Sequence, residues 1–185
     1  MECRKKPHKP QQITNYLPVD KMTDTITSER LTIERLSVND AVFIFKLLNS
    51  KEWIDNIGNR NIVTQDDALN YIKKVNAVDD FYFWTVRIGE IPIGIITLLK
   101  KEYLPCPDIE FAFLKEYSGK GYAFEASKAV IDQVVHKHNI APVCAVTIKE
   151  NTRSQKLLKR LGLNRQGTIT LENEELELFM LPDKN

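Results

Sequence analysis

Asp108 and Glu110 stand two apart in the stretch D-I-E-F-A-F-L, and soon after it Gly119 and Gly121 stand two apart in E-Y-S-G-K-G-Y-A-F-E. Each spacing has a chemical use. Side chains alternate along a strand, so residues two apart face the same side, and two carboxylates there form a polar wall that can accept or relay a proton. The same pair could equally be exposed strand carboxylates beside a loop. The two glycines precede a long amphipathic run. The first turn of a helix has N–H groups without intrahelical partners and carries the positive end of the helix dipole, so a bare, flexible backbone there can close on an anion such as a phosphate. A simple turn before a surface helix satisfies the same letters.

These residues need a scaffold, and the chain is long enough to build one. Its 185 residues suit one domain with a sizeable core, and 43% hydrophobic and 28% charged residues are ordinary for a soluble globular protein. A net charge of +1 gives no general reason to expect nucleic acid or an anionic membrane as partner, and the basic run Arg4-Lys5-Lys6 sits in a polar tail. No apolar run approaches the length of a membrane span, and no hydrophobic secretory segment opens the chain. The expected compartment is the cytoplasm. Cys3, Cys106 and Cys144 are scattered and odd in number, which favours reduced thiols over a disulfide framework or a zinc site. His136 and His138, two apart near a helix end, diverge and do not suggest a metal site.

The elements that position the candidate residues follow from the pattern. Residues 1–26, with Pro7, Pro10 and Pro18 among polar residues, read as an extended tail, and residues 27–185 as a single domain. L-T-I-E-R-L alternates as a strand. Ser37 with Asp40, and Thr64 with Asp67, resemble capping boxes opening two short helices. Residues 81–88 and 91–99 form a hairpin about Gly89-Glu90, and the 108–114 run continues the meander. A long helix to about Lys137, a strand at 143–148, a helix at about 151–161 and two final strands complete the order. A meander feeding a strand-helix-strand crossover implies a mixed sheet with helices on its faces.

Read together, the glycine turn E-Y-S-G-K-G-Y-A and the later N-T-R-S through L-G-L resemble the two signature segments of the GCN5-related N-acetyltransferases: Q/R-x-x-G-x-G/A, then N-x-x-S/A ending in G-F. Ser28-Glu29-Arg30-Leu31 is similar to the T-E-R-L that opens the branch acetylating ribosomal-protein N-termini (RimJ/RimL-like), and the likeness runs over roughly residues 26–182. The resemblance implies an α/β (α+β) fold with a mixed, mostly antiparallel twisted sheet of about seven strands flanked by about four helices. It implies acetyl-CoA as co-substrate, no metal, and a primary amine as acceptor, either a protein N-terminus or a small molecule. It also implies a monomer or homodimer.

By the same resemblance, the amides of Gly119, Lys120, Gly121, Tyr122, Ala123 and Phe124 would cap the pyrophosphate, with the Lys120 side chain adding charge at the rim or merely solvated. The backbone of Phe113 and Leu114 would lie beside the pantetheine and thioester, and Asn151 would bind the pantetheine arm while also serving as a helix N-cap. Asp108 or Glu110 would relay the amine proton. Ser154 would assist the departing thiolate, or simply bond local backbone, because the tyrosine many members use falls at Leu158. Two departures stand out: Glu116 replaces Gln or Arg, and Phe124 replaces a frequent threonine. Two further readings stay open: a non-catalytic coenzyme-A-binding sensor, and a nucleic-acid-binding module acting through the basic tail. A nucleotide-hydrolysing phosphate loop is disfavoured, since Gly119-Lys120 lacks the upstream glycine and the following Ser or Thr.

Overall fold

Both capping boxes form as their spacing predicts. The Ser37 side chain accepts from Asn39 N–H while Asp40 accepts from the Ser37 amide, and Thr64 and Asp67 exchange the equivalent pair of bonds. In the computed structural model these open α1 (Ala41–Leu48), through a short 3-10 turn, and α3 (Gln65–Asn76). The structure describes residues 25–138, 140 and 142–182; Cys3 and the 1–24 part of the expected tail lie outside the described residues. Residues 25 and 26, also assigned to that tail, lie in a strand, β1 (Thr25–Thr27), and Ile26 is fully buried.

The remaining elements are β2 (Thr32–Arg35), α2 (Lys51–Asn56), β3 (Phe81–Ile88), β4 (Ile91–Leu99), β5 (Asp108–Phe113), α4 (Tyr122–Val130), β6 (Val143–Ile148), α5 (Thr152–Arg160), β7 (Asn164–Leu171) and β8 (Glu174–Leu181). The described residues thus form eight strands and five α-helices. The two elements beyond expectation are both short. β1 has three residues, and α2 has six, started by Ser50, whose hydroxyl accepts from Trp53 N–H at 3.3 Å. The long helix changes winding: α4 passes into a π-helical segment, Ile131–His136, in which Ile131, Val134 and Val135 are all buried.

Among the described residues one mixed sheet carries all eight strands, in the order β1-β2-β3-β4-β5-β6-β8-β7, and only β5 and β6 run parallel. Alternation along the strands sends residues to two cores. On β3, Tyr82, Trp84 and Val86 pack under α4 and α5, whereas Phe83 packs under α1 and α3 with Ile95 and Leu99 of β4. Glu110 stands opposite Thr97 on β4, so its side chain belongs to the α1–α3 face, and Phe111 and Phe113 belong to the other.

Candidate active site

Among the described residues, the only parallel pair of strands is also the weakest joined. β5 and β6 are in register at Asp108 and Cys144, where Cys144 N–H donates to Pro107 O at 2.8 Å, and beyond that point the two strands part. Leu114 N–H donates to Ile93 O on the β4 side at 3.0 Å, so main-chain direction, alternating along an antiparallel strand, turns the amides and carbonyls of Phe111 and Phe113 toward the gap. Leu114, expected with Phe113 beside the thioester, has its amide engaged by Ile93 O and its carbonyl by Tyr117 N–H. Phe113 lies directly across from Gly94, the one residue type that leaves room for its ring.

A cavity of about 450 Å³ fills this fork. Phe111, Phe113, Asn151, Ser154 and Leu158 line it on one side of the sheet, and Leu47, Ser50, Trp53 and Glu110 on the other. Glu174 and Leu176, from the β7–β8 hairpin, complete one end. At the start of α5, Asn151 Oδ1 accepts from Ser154 N–H at 3.0 Å, so Asn151 is the N-cap. Leu158 follows one turn later, buried where a tyrosine was absent from the pattern.

The two carboxylates share a face but not a depth. Glu110 lines the cavity; Asp108 is fully buried beneath the wall. Lys101 Nζ bridges them, 2.7 Å from Asp108 Oδ2 and bonded to Glu110 Oε1, while Thr97 Oγ1 donates to Glu110 Oε2 at 3.3 Å. Asp108 Oδ1 has no hydrogen-bond partner among the described residues. Burial, and then the neighbouring charge of Glu110, push the Asp108 carboxyl up to about 7 against the opposing pull of Lys101. Burial acts against the Lys101 ammonium, but Glu110 and Asp108 outweigh it and hold it well above the ordinary lysine range. Lys101 is a fixed cation here, not a base.

From the end of β5 one 3-10 turn, Lys115–Tyr117, leads to the glycines. Gly119 and Gly121 have φ of +76° and +84°, the left-handed region that favours glycine, and Gly121 is the N-cap of α4. The helix ladder starts with Glu125 N–H donating to Gly121 O at 3.0 Å, which leaves the amides of Tyr122, Ala123 and Phe124 as the first-turn donors. Having no side chain, Gly121 cannot cap them. Glu116, the divergent signature position, is held by Lys46 Nζ at 2.7 Å, and that bond first of all lowers its carboxyl below the usual range. The Lys120 ammonium lies 5.5 Å from the Tyr117 ring centre.

Residues 30–164 match the family model for the acetyltransferase (GNAT) domain. The chain belongs to this family. It is accordingly an acyltransferase, and the expected fold is the one observed. The GNAT chain is similar to the uncharacterized N-acetyltransferase YnaD of Bacillus subtilis (strain 168), 25% identical over 143 residues that cover 77% of this chain and 84% of YnaD. Among solved structures it resembles the GNAT-family acetyltransferase from Bacillus anthracis, with a TM-score of 0.72 and 23% identity, over 85% of this chain and 98% of that one. It also resembles RimL, a ribosomal L7/L12 alpha-N-protein acetyltransferase in complex with coenzyme A, with a TM-score of 0.76 and 11% identity, over 87% and 99% of the two chains.

In this GNAT chain, Glu110, Phe113, Asn151 and Ser154 meet in one cavity, while Asp108 sits behind its wall and the glycine turn adjoins the fork without lining the cavity. Sequence reasoning missed Lys101 and Gly94. Lys101 had a signal: a strand aspartate at the start of a core strand needs a cation or several donors to be buried. His136 and His138 gather no further ligands, and no cluster of His, Cys, Asp or Glu among the described residues could hold a metal. Cys144 and Cys106 are buried and form no disulfide; the Cys144 S–H donates to Cys106 O at 3.0 Å, and contact with Cys106, then burial, push its pKa well up. No helix among the described residues is long and apolar enough to cross a membrane.

Proposed function

We propose that the protein transfers an acetyl group from acetyl-CoA to a primary amine by direct attack with both substrates bound. The observation that carries this is the fork itself: β5 and β6 part immediately after Asp108 and Cys144, opening main-chain groups onto a cavity with a carboxylate on one side and a serine on the other. The residues present fit the coenzyme. The amides of Tyr122, Ala123 and Phe124, with the glycine turn before them, suit a diphosphate, and Lys120 adds charge at the rim. Phe113, through its main chain, and Asn151 would hold the pantetheine arm in the fork. Acetyl-CoA supplies the activated thioester.

Glu110 takes the proton leaving the acceptor amine, directly or through water, because it is the cluster carboxylate that lines the cavity. Lys101 and Thr97 fix its two oxygens. Asp108 acts behind it, anchoring Lys101. An α-amine, with a pKa near 8 against about 10.4 for lysine, demands little of such a base. Ser154 Oγ hydrogen-bonds the departing sulfur. The acceptor, a protein N-terminus or a small amine, enters from the α1–α2 side, where Glu52 and Asp55, paired with Lys115 and Lys51, line the wall, with Glu174 at the hairpin end. A cytoplasmic location is part of the proposal, in keeping with the buried Cys106 and Cys144 thiols, which form no disulfide.

Thiol release from acetyl-CoA, measured against a panel of amines and N-terminal peptides, tests the reading. Amine-dependent release is expected; binding of coenzyme A with no release for any amine would favour a non-catalytic sensor.

A further inference from the structure

Glu125 lies in the first turn of α4, four residues after Gly121, so the helix end proposed to hold a diphosphate carries a carboxylate of its own. A negative charge there suits the helix dipole but opposes a second anion a few ångströms away. The turn between β1 and β2 meets that charge. Glu125 Oε1 accepts from Ser28 Oγ and from Arg30 N–H, each at 2.8 Å, and Oε2 accepts from Arg30 Nε and Nη2, each at 2.7 Å. Burial alone would favour the acid form of Glu125; the bonds from Ser28 and Arg30 outweigh it and keep the carboxyl below its usual range.

The same guanidinium reaches further than Glu125. Its Nη1 donates to Lys120 O at 3.2 Å, its carbon lies 4.5 Å over the Tyr122 ring, and a Cβ on Gly121 would stand 3.4 Å from its Nη2. One side chain from the opening turn of the domain therefore contacts Lys120, Tyr122 and Glu125 and passes beside Gly121. A planar fork can do this where an ammonium cannot, since it binds the carboxylate side-on and keeps a donor for the carbonyl.

We propose that Arg30 is a positioning residue for the diphosphate of the coenzyme, neutralising Glu125 and holding the backbone from Lys120 to Tyr122 in its anion-binding shape. This rests on the coenzyme lying at the start of α4 as proposed above. Ser28 and the Arg30 amide already satisfy one oxygen of Glu125, so a purely structural tie would not need the guanidinium spread over the turn.

The test measures the Kd of coenzyme A by calorimetry, and KM for acetyl-CoA against S-acetylpantetheine, which lacks the diphosphate. Arg30→Ala is expected to raise the Kd of coenzyme A at least about tenfold, with the loss in KM confined to acetyl-CoA. Adding Glu125→Gln to it should recover at least about threefold of that affinity by removing the uncompensated charge. Wild-type affinity in Arg30→Ala, an equal loss with both donors, or a double variant no better than the single one overturns the proposal. If Arg30→Ala does not fold, Arg30→Lys is expected to weaken coenzyme A by about three- to tenfold, and wild-type affinity in it overturns the proposal. Failure of the wild-type protein to bind coenzyme A removes the coenzyme reading itself; tight wild-type binding with no effect at Arg30 removes only Arg30.

Discussion

The ring of Phe113 fills the space over Gly94: a Cβ added at Gly94 would lie 2.4 Å from Phe113 Cδ1 and 2.7 Å from the Ala112 carbonyl. No side chain fits there unless β5 moves, and β5 is one arm of the fork. Gly94→Ala is therefore expected to cost about 1–3 kcal/mol of stability by overpacking and to weaken coenzyme A by displacing the Phe113 main chain. Thermal unfolding and coenzyme titration measure the two effects. A variant with both unchanged would mean that the fork does not depend on this contact.

Glu110 and Asp108 separate by position, so their amides should separate in kinetics. Glu110→Gln is expected to lower turnover at least about tenfold, most of all at low pH where free amine is scarce, with coenzyme affinity unchanged. Asp108→Asn, behind the wall, should stay within about threefold. The reverse order in a pH–rate series would move the proton relay to Asp108.

Asp108 also leaves a mark on stability. Its carboxyl titrates near 3.9 when unfolded and is pushed up to about 7 in the fold, so the folded state binds the extra proton between those values. Its contribution to stability then falls as pH rises through that window. Asp108→Asn cannot titrate and is expected to lose less stability than the wild type from pH 4 to 7. Denaturant unfolding across that range measures it; parallel curves for the two proteins would contradict the assignment.

Ser154→Ala is expected to slow the chemical step about 10- to 100-fold, below a strong general acid because a serine hydroxyl is a poor one. Coenzyme affinity should be preserved. Single-turnover acetylation beside a binding titration decides: loss of affinity or thermal stability alone would make Ser154 a pantetheine contact or part of the helix cap.

The parts of this architecture governed by local rules were legible in the sequence. Ser37 with Asp40 and Thr64 with Asp67 cap as their spacing requires, and Gly119 and Gly121 occupy the left-handed backbone that the turn needs. Short elements were not: β1 and α2 are too brief to show a period, and α2 depends on one Ser50 cap. Contacts between distant segments were hidden for a different reason. Lys101 meets Asp108 and Glu110 only because a turn brings it back across β5, and Gly94 is demanded by a ring nineteen positions on. Arg30 stood out as part of a signature, while its bonds to Glu125, 95 residues away, belong to tertiary structure alone.

The most direct test of the central claim is the shift of backbone amide resonances when coenzyme A is added to the protein. Binding through main chain at the start of α4 and along the fork predicts the largest changes at Gly119, Gly121, Tyr122, Ala123 and Phe124, with Phe111 and Phe113 also moved. Saturation with coenzyme A that leaves those amides in place, or moves only a distant surface, would contradict the account.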